Sequence, residues 1–506
     1  MTIYIMALAA PIIASVLALS TAPLAAQARP DSTVTQAPIS EDELRAHIAM
    51  LSSDAYGGRM PGTAGETLTA HYIAQQLAAA GFAGAEAGGS FYQPVPLVEM
   101  HLQSFESRWT PTGGPAQTLN EIVLRAPAGG DVSLNAVMIY VGHGVDASGA
   151  VIADVRGKIA MMQFENRSGE GALPLSVRRD ALVAAGAVGT IIIGPAQAPF
   201  AQLAGGFTSA RPQLASRVGR GQIEGIASAA TAGVLLESAG MTLAEARDRA
   251  RADDFAGAML PGQANLRATT HRRAYNSYNV VARLAGQRAA TGTVLLMGHW
   301  DHIGTCRPEG AEDRICNGAV DNASGIAVLL AVASRLGSGP AMDRDVMIVA
   351  TTAEEQGLLG AHHFVATPLV PLPSIPILLN VDTVAIAPRG APMAMVGRGT
   401  TPLDVEVDAV ARTLGRTIDS DDEANAFIQR QDGWAFTQAG VPAVMAGGSF
   451  TDMAALQAFL GSDYHGPNDE LTDATPLGGA ADDADLHVAL TRHFATIASH
   501  AATRDD

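Results

Sequence analysis

Three uninterrupted apolar runs in this chain each terminate on acidic or imidazole side chains, and that pattern restricts the fold more than any other feature. TVLLMGHWD runs from Thr293 into His299 and Asp301, DVMIVATTAEE from Asp345 into Glu354 and Glu355, and IPILLNVD from Ile375 into Asp382. Apolar runs without polar alternation mark parallel strands covered on both faces, and open α/β sheets carry their sites at the carboxyl ends of such strands. The expected fold is therefore α/β, a mixed, largely parallel central sheet with helices on both faces. A fourth carboxylate, Asp321, opens the helix-like run DNASGIAVLLAVASRL, and His465 lies in the turn YHGPND.

Two histidines and several carboxylates on one sheet edge suit a hydrolytic metal centre. Zinc takes imidazole nitrogen and carboxylate oxygen, and a catalytic site leaves a position open for water. Two metals about 4 Å apart can share a carboxylate and clamp a hydrolytic transition state. His299 and Asp301, two apart in an extended segment, share a face, so Asp301 can orient or polarise the imidazole. Glu354 and Glu355 are adjacent and point apart, which lets one bind metal while the other faces water as a base. A charge that closes a buried strand is costly unless paired or metal-bound. These ligand types suit cobalt and manganese as well as zinc.

The balance of charge is acidic, −18 from 32 basic and 50 acidic residues. That argues against nucleic acid and anionic membrane surfaces as partners, since both reward clustered Lys and Arg. Residues 1–28 carry no charge and end in Ala26-Gln27-Ala28, which reads as a signal peptide cleaved before Arg29, although no basic residue precedes its apolar stretch. No later run reads as long and apolar enough to span a bilayer, so stable membrane insertion after cleavage is not expected. The two cysteines, Cys306 and Cys316, form a plausible disulfide in an exported chain, worth roughly 3 kcal/mol in the chain-entropy model. Monomer and dimer are both compatible with the sequence.

From Ser40, SEDELRAHIAMLSSD reads as a helix capped by Ser40 with acids in its first turn. YGGRMPGTAGE reads as a Gly/Pro loop, TLTAHYIAQQLAAAGF as a helix ending at Gly81, and FYQPVPLVEMHL as a strand. Residues 112–265 differ in texture, with short strands (NAVMIYVG, GKIAMMQF) among Gly-rich turns. Few candidate catalytic groups fall there, so the stretch reads as an inserted β-rich accessory domain. It divides the main unit into 29–111 and 266–506, the latter holding the metal site. His302 reads as a structural neighbour of the site, His362 and His363 as packing or surface, and His487, His493 and His500 as solvated.

Five motifs, GHWDHIG, NGAVDNASG, TTAEEQGLLGA, LLNVDTV and YHGPNDEL, resemble in content and order the co-catalytic zinc aminopeptidases. That family includes bacterial leucyl aminopeptidases, glutamate carboxypeptidase II and the transferrin receptor ectodomain. MLSSDAYGGRMPGTAGE and NSYNVVARLAG extend the likeness, and the middle stretch resembles the protease-associated domain often inserted in it. The resemblance implies a zinc exopeptidase fold, two Zn2+ ions per chain and peptide substrates. It implies His299 and Asp382 on one zinc, Glu355 and His465 on the other, and Asp321 bridging. Glu354 becomes the general base that acts through a metal-bridging hydroxide, Asp301 the support of His299, and Tyr464 a hydrogen-bond donor to the oxyanion. A cis peptide after Asp321 is implied too. The implied function is an exported aminopeptidase, periplasmic or secreted. The alternatives are a carboxypeptidase of the glutamate type, whose carboxylate-holding basic residues the sequence does not reveal, and a non-catalytic receptor-like protein. Two departures stand out: the 22-residue step from His299 to Asp321 holds both cysteines, and Gln431, Asp432 and Gly433 replace a Ser-Asp-His-like triplet. Phe427 or Trp434 near that triplet lines the substrate pocket or packs the core.

Overall fold

A computed structural model describes residues 36–166, 173–252 and 254–500; the charge-free leader lies outside them. The three motif runs form adjacent strands. Thr293–His299 lies in the middle, parallel to Asp345–Thr351 on one side and to Leu378–Asn380 on the other. His299 stands opposite Thr351, and Asn380 opposite Met297, so the register brings Asp382 level with His299. Ala443–Gly447 extends the parallel set beside Leu378–Asn380, and Ala394–Val396 closes that edge antiparallel.

Helices cover both faces, as the all-apolar strands require. One face packs against Glu41–Leu51, Ala64–Ala79, Ser324–Ser338 and Leu477–Ala495, whose apolar sides share a core with Leu296, Ile348 and Leu379. The other carries Leu359–Ala366 and Gly433–Thr437, with Phe364 and Phe436 against Leu295, Met347 and Leu378. Ser40 caps the first helix, its hydroxyl accepting from the Glu43 N–H at 3.1 Å. One apolar helix, Ala319–Ser338, is long and apolar enough to cross a membrane, against the expectation of no such run, yet 89% of that window is buried inside the protein.

Two strands are far longer than their local sequence indicates. Ala258–Leu284 pairs antiparallel with Tyr92–Pro111 from Gly262↔Pro111 to Val280↔Tyr92. Its last residues also pair with Asp345–Thr351, and its earlier part with Gly130–Tyr140. The middle stretch thus joins the main sheet without a break. Beyond Gly130–Tyr140 run three parallel strands, Ile159–Gln163, Gly189–Ile193 and Ile223–Ala227, and antiparallel Ile122–Arg125. Helices such as Leu175–Ala184 and Ala229–Glu237 pack on them, so this region is α/β, where short strands and turns alone suggested β-rich structure. Cys306 and Cys316 are disulfide-bonded, Cys316 lying within a two-stranded hairpin of Gly304–Thr305 with Ile315–Cys316 and Cys306 following its first strand.

Several histidines sit differently from their sequence reading. His487 is buried, its Nδ1 2.7 Å from the Asp483 carbonyl, because its helix turns that face toward the sheet. His493 and His500 both reach Glu406 Oε2, at 2.9 and 2.8 Å. Burial, and then the charge of Arg217, pull His362 down to about 4 from 6.5. Between those values the unfolded chain binds a proton that the folded one rejects. Stability is therefore full above about pH 6.5 and falls as pH drops toward 4. His362→Gln should flatten this acid limb: between about pH 7 and pH 5 the urea midpoint of the metal-free wild type drops more than that of the variant. Equal drops would contradict the assignment.

Candidate metal centre

The carboxyl ends of the three strands meet the start of the helix Ser324–Ser338, and the acidic groups close around two imidazoles. His299 Nε2 lies 3.2 Å from Asp321 Oδ1 and 3.4 Å from Asp382 Oδ1. On the far side of Asp321, His465 Nε2 lies 3.3 Å from Oδ2 and 2.8 Å from Glu355 Oε2. The two oxygens of Asp321 therefore address one imidazole each. Ligand atoms of His299, Asp321 and Glu355 all lie within 4.8 Å of one another. Such a convergence of nitrogen and carboxylate oxygen fits metal ions of the zinc class. The peptide Asp321–Asn322 is cis, as the resemblance implied.

Glu354 stands apart from this set, its Oε2 4.0 Å from His299 Nε2. Burial raises its carboxyl well above the usual range; the imidazole of His299 opposes this, and Asp432, Glu355 and Asp382 add to it. Asp301, read from the sequence as the support of His299, lies beside that imidazole. Its Oδ1 is 3.8 Å from His299 Nδ1, while its backbone carbonyl is nearer, at 3.1 Å. The carboxylate also accepts from the Glu354 N–H at 3.1 Å, and so bears on the adjacent acid as well as on the imidazole. Burial pushes Asp301 up to about 8.

Tyr464 stacks on His465, ring centroids 3.7 Å apart, and lines the pocket over the centre. Burial and the surrounding carboxylates raise its hydroxyl, which keeps the phenol protonated as a donor. Phe427 also lines that pocket, edge-on to Phe450, whereas Trp434 packs against the core below the sheet. Gln431 borders the pocket and accepts from the Gly433 N–H at 2.7 Å; Asp432 is buried beneath it and accepts from the Thr351 hydroxyl.

Three supporting groups were not assigned these roles from the sequence. His302 Nδ1 lies 2.7 Å from Glu355 Oε1, fixing the carboxylate whose other oxygen faces His465. Asp469, four residues after His465, accepts from the Val320 and Asp321 N–H groups at 2.8 and 3.0 Å. Its place in YHGPND was the available signal. Arg59, in the Gly/Pro loop, is fully buried and donates to the carbonyls of Trp300, Leu51, Asn317 and Gly318 at 2.5–2.9 Å. The turn before it needs Gly58, where φ is +64 and a Cβ would stand 2.4 Å from the Cys316 carbonyl. Burial lowers Arg59 to about 10, and Asp469, Asp321, Asp301 and Glu355 oppose that shift. Arg59→Met removes the donor from four carbonyls, each worth about 1–3 kcal/mol when left unpaired in the interior. It should lower the melting temperature sharply and loosen metal retention on dialysis, read as metal per chain. An unchanged melting curve would refute the bracing role.

Residues 279–485 match the family model described as peptidase family M28. The probable lipoprotein aminopeptidase LpqL of Mycobacterium tuberculosis is 27% identical over 208 residues, 38% of this chain and 37% of the relative. The chain thus matches little more than a third of that protein's length. The structure of an aminopeptidase from Aneurinibacillus sp. strain AM-1 superposes with a TM-score of 0.50 at 18% identity, covering 90% of this chain and 94% of that one. BSAP, a zinc aminopeptidase from Bacillus subtilis, gives a TM-score of 0.40 at 18% identity over 93% and 98% of the two chains. The family match spans all three motif strands, Asp321 and His465, so the likeness falls on the part of the chain that holds the candidate centre.

Proposed function

We propose that this chain is an exported metallo-exopeptidase, an aminopeptidase that holds two zinc ions. The observation that carries the reading is Asp321, whose two oxygens each face the imidazole of a different ligand cluster, at 3.2 and 3.3 Å. His299, Asp382 and Asp321 would hold one ion, and Glu355, His465 and Asp321 the other. Zinc in such a site acts as a Lewis acid on the scissile carbonyl and lowers the pKa of water. Glu354 takes the proton from the attacking water and delivers it to the leaving amine, so the peptide C–N bond breaks as the new C–O bond forms. Tyr464 donates to the oxygen on which negative charge develops. Asp301 keeps His299 and Glu354 in register. The apolar wall of the pocket, which includes Phe427, Phe450 and Leu460, would take an apolar first side chain. Export is supported by the charge-free leader and by the Cys306–Cys316 disulfide, since such bonds persist in oxidising compartments. We read residues 112–265 as an accessory segment, of the protease-associated kind, attached through the shared sheet.

Glu354→Gln should keep the metal content of the wild type while turnover of leucyl-4-nitroanilide falls about 10²–10⁴-fold, the usual contribution of a positioned acid–base group. A variant at wild-type rate with its metals in place would mean that another base acts. N-acetylation of the substrate should abolish cleavage. Equal hydrolysis of blocked and free substrates would overturn the aminopeptidase assignment.

A further inference from the structure

The pocket over the centre contains one permanent cation that the proposed chemistry leaves unused. Arg430 lines it together with His299, Asp321, Glu354, Asp382 and Tyr464. Its guanidinium carbon stands 5.5 Å from the centroid of the Phe427 ring and 5.9 Å from that of Tyr464. Its Nη2 is 3.5 Å from Tyr464 Oη, a long and weak contact. The side chain is exposed, and among the described residues no carboxylate forms an ion pair with it. By contrast, the buried Arg125, Arg179 and Arg416 are each paired with an acid.

A guanidinium offers donors in a planar fork that matches a carboxylate with two parallel hydrogen bonds. Nearby aromatic rings attract the cation without using those donors. The acids that share the pocket are turned toward His299 and His465, which leaves the fork for a group arriving from solvent. We infer that Arg430 is a specificity-determining residue that receives a carboxylate of the substrate. The same chemistry comes from two sources, the free C-terminal carboxylate of a dipeptide or an acidic side chain on the first residue. The inference rests on the hydrolytic reading above.

Two substrate pairs separate these sources: leucyl-glycine against leucyl-glycinamide, and glutamyl-4-nitroanilide against glutaminyl-4-nitroanilide. The metal-replete full chain should favour the carboxylate member of one pair by about tenfold in kcat/KM, the scale of one charge-assisted contact. The favoured pair identifies the source. In Arg430→Met the preference should shrink to about twofold, and raised salt should erode it in the wild type. Should the Met variant lose its metals and fold, Arg430→Gln carries the same comparison. Wild-type rates alike within both pairs, or a preference that survives in a folded variant, would overturn the inference. Turnover without carboxylate preference counts against Arg430 alone. No turnover of any of the four compounds by metal-loaded protein overturns the hydrolytic reading with it.

Discussion

Like-charge repulsion among buried acids is the constraint around which this molecule is arranged. Asp301, Asp321, Glu354, Glu355, Asp382, Asp432 and Asp469 crowd one end of the sheet, and the shifts within the group show the tension. Burial pushes Asp301 up to about 8 and Asp432 and Asp469 to about 6, whereas Asp321, despite the same burial, is held low by its contacts with His299 and His465. Uncompensated carboxylates this close and this dry would protonate or unfold the site. The compensation built into the chain is His299, His302, His465 and the buried guanidinium of Arg59. Divalent cations held between the two imidazole clusters, as proposed above, would complete it and would couple metal binding to the folding of this end.

The crowding requires a rigid frame, and the sheet provides one. Parallel pairing in register forces the ends of Thr293–His299, Asp345–Thr351 and Leu378–Asn380 to one level, so the acids cannot relax apart by sliding. On the flank, Ala258–Leu284 runs from the strand that leads to the two glutamates into the middle stretch. A single strand shared by two apolar cores transmits orientation better than a flexible linker does, and it joins the middle stretch to the main sheet through continuous backbone pairing.

The motif strands were legible because burial on both faces removes polar alternation and leaves apolar runs as a clear signal. Ser40 was legible because capping is local. Order and register were not, since they depend on pairings between segments tens of residues apart. The length of Ala258–Leu284 was hidden by Pro261-Gly262 and by the exposed run His271-Arg272-Arg273, which locally read as loop or surface. His487 looked solvated because its helix also carries acidic and basic residues, and only packing determines which face is covered. The acids and imidazoles that meet at the sheet edge were legible as strand-ending charges, but the proposed partition of the carboxylates between bridge, terminal ligand and base rests on family resemblance alone. Arg59 escaped because a lone arginine in a Gly/Pro loop normally faces solvent, and its four carbonyl partners come from distant segments.

Glu354 and Glu355 show how little is needed to give adjacent identical residues different environments. The strand ends at Thr351, and Ala353 takes a left-handed conformation with φ +53. That reversal turns the next two residues out of the strand path. The Glu354 N–H is then tied to Asp301, the same residue whose carbonyl faces His299, while Glu355 is directed between His302 and His465. One glutamate has both oxygens spoken for by imidazoles and is held below the usual carboxylate range, burial notwithstanding; the other lacks such partners and is driven upward by burial and by its acidic neighbours. In the proposed reading the ligand, Glu355, must stay ionised and the base, Glu354, must hold a proton in transit. The turn at Ala353 gives two consecutive glutamates surroundings that suit these different requirements.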